Sequence, residues 1–169
     1  MTKKSIDTHV AELHAAGELV HHSKILWPDQ TCLRRLWLHP NVDKWAQSDG
    51  TTRDEERYFA GVRAVFADFV RGEDFDDDAE FKAITKGPNG KYGMWEIKIS
   101  FFPHWRVLGG FLRMGEFVAL SHGNRALLAQ HGFEPLIEVV RERWEALFPI
   151  RPMLKGIRAD LLGDFNGGI

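Results

Sequence analysis

Residues 94–121 read MWEIKISFFPHWRVLGGFLRMGEFVALS, and the way this stretch alternates decides the fold. Trp95, Ile97 and Ile99 take turns with Glu96, Lys98 and Ser100, a period of two that sends successive side chains to opposite faces of a β-strand. Residues 105–112 and 116–121 form two more strand-like runs, joined through Met114-Gly115, which is short enough for a hairpin connection. Three such runs in succession predict an antiparallel meander with one buried face. Gly109-Gly110 falls inside the second run without a GxGxxG or Walker pattern around it, so a strand bulge is its expected use.

Amphipathic helices flank the meander. Thr52 with Glu55 three residues later is a capping box, and Tyr58, Phe59, Val62, Val65, Phe66, Phe69 and Val70 follow as one apolar stripe up to Gly72, the expected left-handed terminator. Beyond the meander, Pro135 opens a second helix, with Leu136, Ile137, Val140, Trp144, Leu147 and Phe148 at helical spacing. Ile6, Val10, Leu13, Ala16 and Val20 predict a first helix over the first twenty residues, capped by Ser5 or Asp7. Residues 32–39 (CLRRLWLH) read as a strand, Pro40 or Asn41 opens a short helical turn, and a last helix is expected over 153–162. Strands and helices of this kind bury their apolar faces only against one another. The expected fold is therefore a single α+β domain over 1–169, with a three- to four-stranded antiparallel sheet covered by the helices at 52–71 and 135–148. Residues 1–31 form an N-terminal helical extension to it, 32–125 the core and 126–169 the C-terminal helices.

Composition narrows the class. With 44% apolar and 27% charged residues, 16 Gly and 7 Pro, the chain is neither a disordered nor a collagen-like polymer. Cys32 is the single cysteine, which excludes a disulfide framework within the chain and a four-thiolate zinc site. A reducing cytoplasm is the expected compartment. No apolar run approaches the roughly 18 residues of a membrane span, and no membrane partner is expected. The net charge of -2 argues against a globally basic nucleic-acid binder, yet the charge is divided. Residues 53–81 carry ten acidic residues against four arginines, while residues 82–125 carry seven basic residues against Glu96 and Glu116. An anionic ligand would favour the second block.

The order of elements, with RRLWLHPNVDKWAQ at 34–47, EFKAITKGPNGKYGMWEIKIS at 80–100, WRVLGGF at 105–111 and FVALSHGNR at 117–125, resembles the RelE/ParE/HigB superfamily of small toxins, HigB-like members in particular. The likeness covers residues 33–125. It implies a RelE-like core and an endoribonuclease of the toxin-antitoxin type, free or ribosome-dependent, with an antitoxin protein as partner and RNA or the ribosome as target. In that chemistry a ribose 2'-hydroxyl attacks the adjacent phosphate, so the site needs a base, an acid and cations for the developing charge, and neither a metal nor a cofactor. The positions matching the family pattern are His122, Arg106 and Lys98 as catalytic residues, with Lys82, Lys86 and Arg125 as RNA-binding residues. Arg106 would hold the phosphate, His122 would move the proton, and the three catalytic side chains are expected on one face of the meander.

The chain departs from the pattern where two lysines expected after HG are replaced by Asn124, Arg125 and Ala126. That departure favours a second reading, a non-catalytic protein-interaction module on the same fold. In it the N-terminal helix or the acidic segment is the binding surface; that helix could also fill the groove an antitoxin would occupy. His9, His14, His21 and His22 form neither HExxH nor a helical pair four apart, so no metal site is expected there. Cys32, without a CxxC partner, is expected as a buried thiol.

Overall fold

A computed structural model describes residues 5–22, 32–73, 75, 77–84 and 91–163. Lys86, Asp74, Asp76, the Gly87-Pro88-Asn89-Gly90 turn and residues 164–169 lie outside the described residues.

The helices follow their local signals. Helix α1 (Ile6–Ala15) starts where Ser5 Oγ accepts the Thr8 N–H. Strand β1 (Val20–His21) and β2 (Arg35–Leu38) precede α2 (Pro40–Ala46), which has Pro in its first turn. Helix α3 (Arg53–Arg71) carries the complete Thr52–Glu55 capping box and stops at Gly72, at φ 81. After β3 (Phe81–Ala83) come β4 (Met94–Ile99), β5 (Trp105–Arg113) and β6 (Glu116–Asn124), then α4 (Arg125–His131), α5 (Glu134–Leu147) and α6 (Arg158–Leu161). Two expected helices are shorter than their apolar spacing suggested. Gly17, at φ 75, follows the end of α1, so Val20 joins a strand; near the C-terminus, Leu154 bridges to Phe111 and only four residues are helical.

All six strands form one sheet in the order β1-β2-β6-β5-β4-β3. The expectation of three or four antiparallel strands is corrected on two counts. Strands β1 and β3 have only two and three residues, too few to show a period, and β2 runs parallel to β6. That pairing joins residues about eighty positions apart through helices and the whole meander, so no local pattern announces it. The single buried face is also corrected. Val62, Phe66 and Phe69 of α3 pack with Leu36, Phe81, Ile97, Val107, Phe111 and Phe117 on one side of the sheet. Val10 and Leu13 of α1 and Val140 and Trp144 of α5 cluster with Met94, Leu108, Val118 and Leu120 on the other. Cys32, expected to be buried, is exposed, with its Sγ donating to the Arg34 carbonyl at 3.0 Å.

The β5–β6 ladder shifts register twice, between Phe111 and Arg113 and between Leu108 and Gly109, and the second shift sets which residues face each side at the Arg106 end. Val107 pairs with His122 and Leu108 with Ser121, but Gly109 pairs with Ala119, which leaves Leu120 as an extra residue in β6. This is the bulge the glycine pair suggested. A Cβ on Gly109 would lie 1.9 Å from the Val118 carbonyl oxygen, and one on Gly110 would lie 2.5 Å from Met153 Sδ. The backbone of Val118 leaves no room for a side chain at 109, and one at 110 would have to displace the Met153 side chain.

Gly109→Ala is expected to destabilise the fold by at least about 1–3 kcal/mol, the cost of forcing atoms into a packed interior, read as a lower urea midpoint. Removing residues 1–22 takes Val10, Leu13 and Leu19 out of the apolar cluster that holds Trp37 and Val118. The truncated chain is expected to bind a hydrophobic dye and aggregate; a monomeric, cooperatively folding product would show that α1 is dispensable.

Candidate functional site

The register decides which candidate residues meet. Directly paired residues of an antiparallel ladder share a face, as do residues two apart along a strand. Lys82 pairs with Glu96, and Lys98 pairs with Arg106, so these four belong to the side of the sheet covered by α1 and α5. Beyond the extra Leu120 the alternation of β6 is shifted by one. His122 therefore pairs with Val107, on the α3 side, and Gly123 takes the place beside Arg106. The expectation that Arg106, His122 and Lys98 share one face is corrected: Arg106 and Lys98 do, and His122 does not.

His122 occupies an aromatic niche. Its ring stacks on Trp45 with centroids 4.6 Å apart and an interplanar angle of 12°, and Trp105 lies 5.3 Å away. Burial pushes its pKa down to about 4, helped by Arg143, while a hydrogen bond with the Asn41 backbone pulls the other way. Its Nδ1 is buried with no hydrogen-bond partner among the described residues. A neutral imidazole packed against two indoles helps fill the end of the sheet, on the face opposite Arg106 and Lys98.

The other face carries a charged cluster centred on Glu96. Its side chain is only 8% exposed, and Oε2 lies 3.6 Å from Arg106 Nε, too far for a hydrogen bond; that oxygen has no hydrogen-bond partner among the described residues. Arg106, equally sequestered, donates from Nη1 to the Trp105 carbonyl at 2.9 Å. Burial raises the Glu96 carboxyl above its ordinary value, and Arg106, Lys98, Lys82 and Arg125, in decreasing order, hold part of that rise back. Burial lowers Lys98 from the usual ammonium range, with Arg106 and Lys82 adding to the effect and Glu96 and Asp78 opposing it. Lys98 Nζ donates to the Asp78 carbonyl, and Lys82 Nζ lies 4.0 Å from the Asp78 carboxylate. Arg125 begins α4, where its backbone N–H donates to the His104 carbonyl at 2.9 Å. Lys82, Lys98, Arg106 and Arg125 are thus gathered as the basic 82–125 block suggested.

No local sequence signal singles out Glu96. Its alternation with Trp95 and Ile97 marked it as a polar residue on a solvated face, yet its side chain is only 8% exposed. Glu116 shows the opposite treatment of a buried carboxylate. It accepts Trp37 Nε1–H at 2.8 Å and Arg113 Nε–H at 2.5 Å, and Arg113 continues to Asp7 of α1 at 2.5 Å. Glu116 is satisfied by its surroundings, and Glu96 is not. Among the described residues no group of three or more His, Cys, Asp or Glu side chains is placed to hold a metal ion, and no helix is long and apolar enough to cross a membrane. Comparison with family models, with curated proteins and with solved structures gives no significant match.

His122 should remain neutral until about pH 4 when its ring resonances are followed by NMR. The sign of the linkage follows. An unfolded histidine takes up its proton near 6.5 and the folded one only near 4, so this contribution to stability is complete above pH 6.5 and is lost as the pH falls towards 4. His122→Phe is expected to reduce the fall in urea midpoint across that window.

Proposed function

We propose that the protein is a toxin-like endoribonuclease acting through the Glu96 cluster, with Glu96 in the proton-transfer role that the family resemblance implies for His122. The observation that carries this reading is the opposed perturbation of two neighbouring groups: the Glu96 carboxyl is raised and the Lys98 ammonium lowered beside the Arg106 guanidinium. A raised carboxyl and a lowered ammonium bring a base and an acid closer together in proton affinity, which suits proton transfer between substrate and site. In the reaction Glu96 accepts the ribose 2'-hydroxyl proton as that oxygen attacks phosphorus. Lys98 gives a proton to the departing 5'-oxygen, leaving a 2',3'-cyclic phosphate and a 5'-hydroxyl. Arg106, Lys82 and Arg125 meet the negative charge on the phosphate oxygens. The succession of a strand, two helices and a meander whose last strand returns beside the first supports the toxin-like reading. An RNA target in the cytoplasm and a neutralising antitoxin belong to it.

Self-inhibition by the N-terminal helix is not part of this reading. Helix α1 reaches the sheet at Arg113, seven residues along β5 from Arg106, or about 23 Å at the rise of a strand. The non-catalytic interaction module has one observation in its favour: Arg106 and Lys98 each spend a donor on a main-chain carbonyl, as in a purely structural ion-pair network.

The two readings part on Glu96→Gln, which keeps the size of the side chain. With structureless RNA or translating ribosomes as substrate, the catalytic reading expects cleavage to fall at least about 100-fold with the fold intact. It also expects a bell-shaped pH profile in the parent, with an acid limb above the ordinary carboxylate value. Absence of cleavage by the parent on both substrates would leave the interaction module. Binding to single-stranded RNA should weaken with salt, and Arg125→Ala should flatten the log–log slope by about 0.7, the share of one phosphate contact.

A further inference from the structure

The connection between β4 and β5 runs from Lys98 to Arg106 through Ser100-Phe101-Phe102-Pro103-His104, and it treats its two phenylalanines in opposite ways. Phe101 turns toward α3. Its ring lies edge-on to Tyr58, centroids 5.1 Å apart, and so close to Gly61 that a Cβ there would sit 2.8 Å from it. Phe102 turns away from that core and is 85% exposed. Its ring stands edge-on to His104 at 6.3 Å, and the His104 carbonyl accepts the Arg125 N–H. Arg125 is in turn close enough to Glu96 and Arg106 for its charge to act on both. A bare aromatic ring, an imidazole and the cationic cluster therefore follow one another along one end of the sheet.

A groove that holds phosphates beside aromatic rings that stack bases is the general means by which proteins bind single-stranded nucleic acid. We infer that Phe102, with His104 beside it, is a base-stacking platform for single-stranded RNA whose backbone lies on Arg106, Lys98 and Arg125. The inference rests on the proposed RNA-directed function and narrows its substrate to unpaired strands, because the bases of a duplex are already stacked on one another. An exposed ring also suits recognition without a fixed sequence, since every base offers a face.

The test measures binding of the full chain, by fluorescence anisotropy, to an uncleavable 2'-O-methyl single-stranded oligonucleotide and to the same backbone carrying abasic sites. The parent is expected to bind the base-bearing strand at least about fivefold more tightly than the abasic one. Phe102→Ala should abolish that difference while leaving the abasic affinity unchanged, and Phe102→Trp should keep it. Equal affinity of the parent for both strands, or an equal loss on both in Phe102→Ala, overturns the platform and leaves backbone binding by the cation cluster standing. Failure of the parent to bind either strand overturns both the platform and the RNA-directed function.

Discussion

One extra residue in β6 governs what the sheet presents on each side. From Phe117 to Ala119 the strand alternates in step with β5, and after Leu120 it is one residue out of step, so every later side chain changes face. The shift is fixed by close packing, since the Gly109 backbone approaches the Val118 carbonyl too nearly for any side chain. Its consequences reach both cores. His122 enters the aromatic niche of Trp45 and Trp105, and Gly123 lies beside Arg106, where a Cβ would press on Leu136 of α5 at 3.0 Å. The absence of a side chain at 123 lets α5 close over the sheet next to the charged cluster.

Closure of that face gives two buried carboxylates different roles. Glu116 is wholly buried and anchors Trp37 of β2 and, through Arg113, Asp7 of α1. It ties three elements distant in sequence, and removing one partner would strand a charge in the interior. Glu96 lies on the same face toward the opposite end of the sheet, with cations about it but an oxygen that none of the described residues satisfies. Burial opposes its charge while its neighbours favour it, and the net effect is a carboxyl raised above its ordinary value.

The helices divide the two faces between them. Helix α3 supplies a broad aromatic stripe to one side, with Phe66 and Phe69 fully buried. The other side is covered jointly by α5 and by α1, so the N-terminal segment is part of the core and no appendage to it. Each large apolar side chain so buried contributes about 1.5–3 kcal/mol, and a sheet with both faces covered needs both helical layers to keep its strands dry. The exposed Phe102 stands out against this economy, on the loop that joins the two strands bearing Lys98 and Arg106.

The sequence by itself determined what short-range physics controls. The period of 94–99, the Met114-Gly115 hairpin, the Thr52 capping box and the Gly72 stop all depend on residues a few positions apart, and each was legible. The gathering of Lys82, Lys98, Arg106 and Arg125 was legible in part, because adjacent strands of a meander must lie side by side. Only the tertiary structure decided the rest. The parallel return of β2 beside β6 and the brief β1 and β3 depend on contacts between distant segments. The side of the sheet that His122 faces depends on a bulge whose position the Gly109-Gly110 pair suggested but whose effect on parity it could not show. Glu96 became a candidate because it is buried among cations of neighbouring strands; burial is a property of tertiary packing, and alternation along one strand carries no information about it.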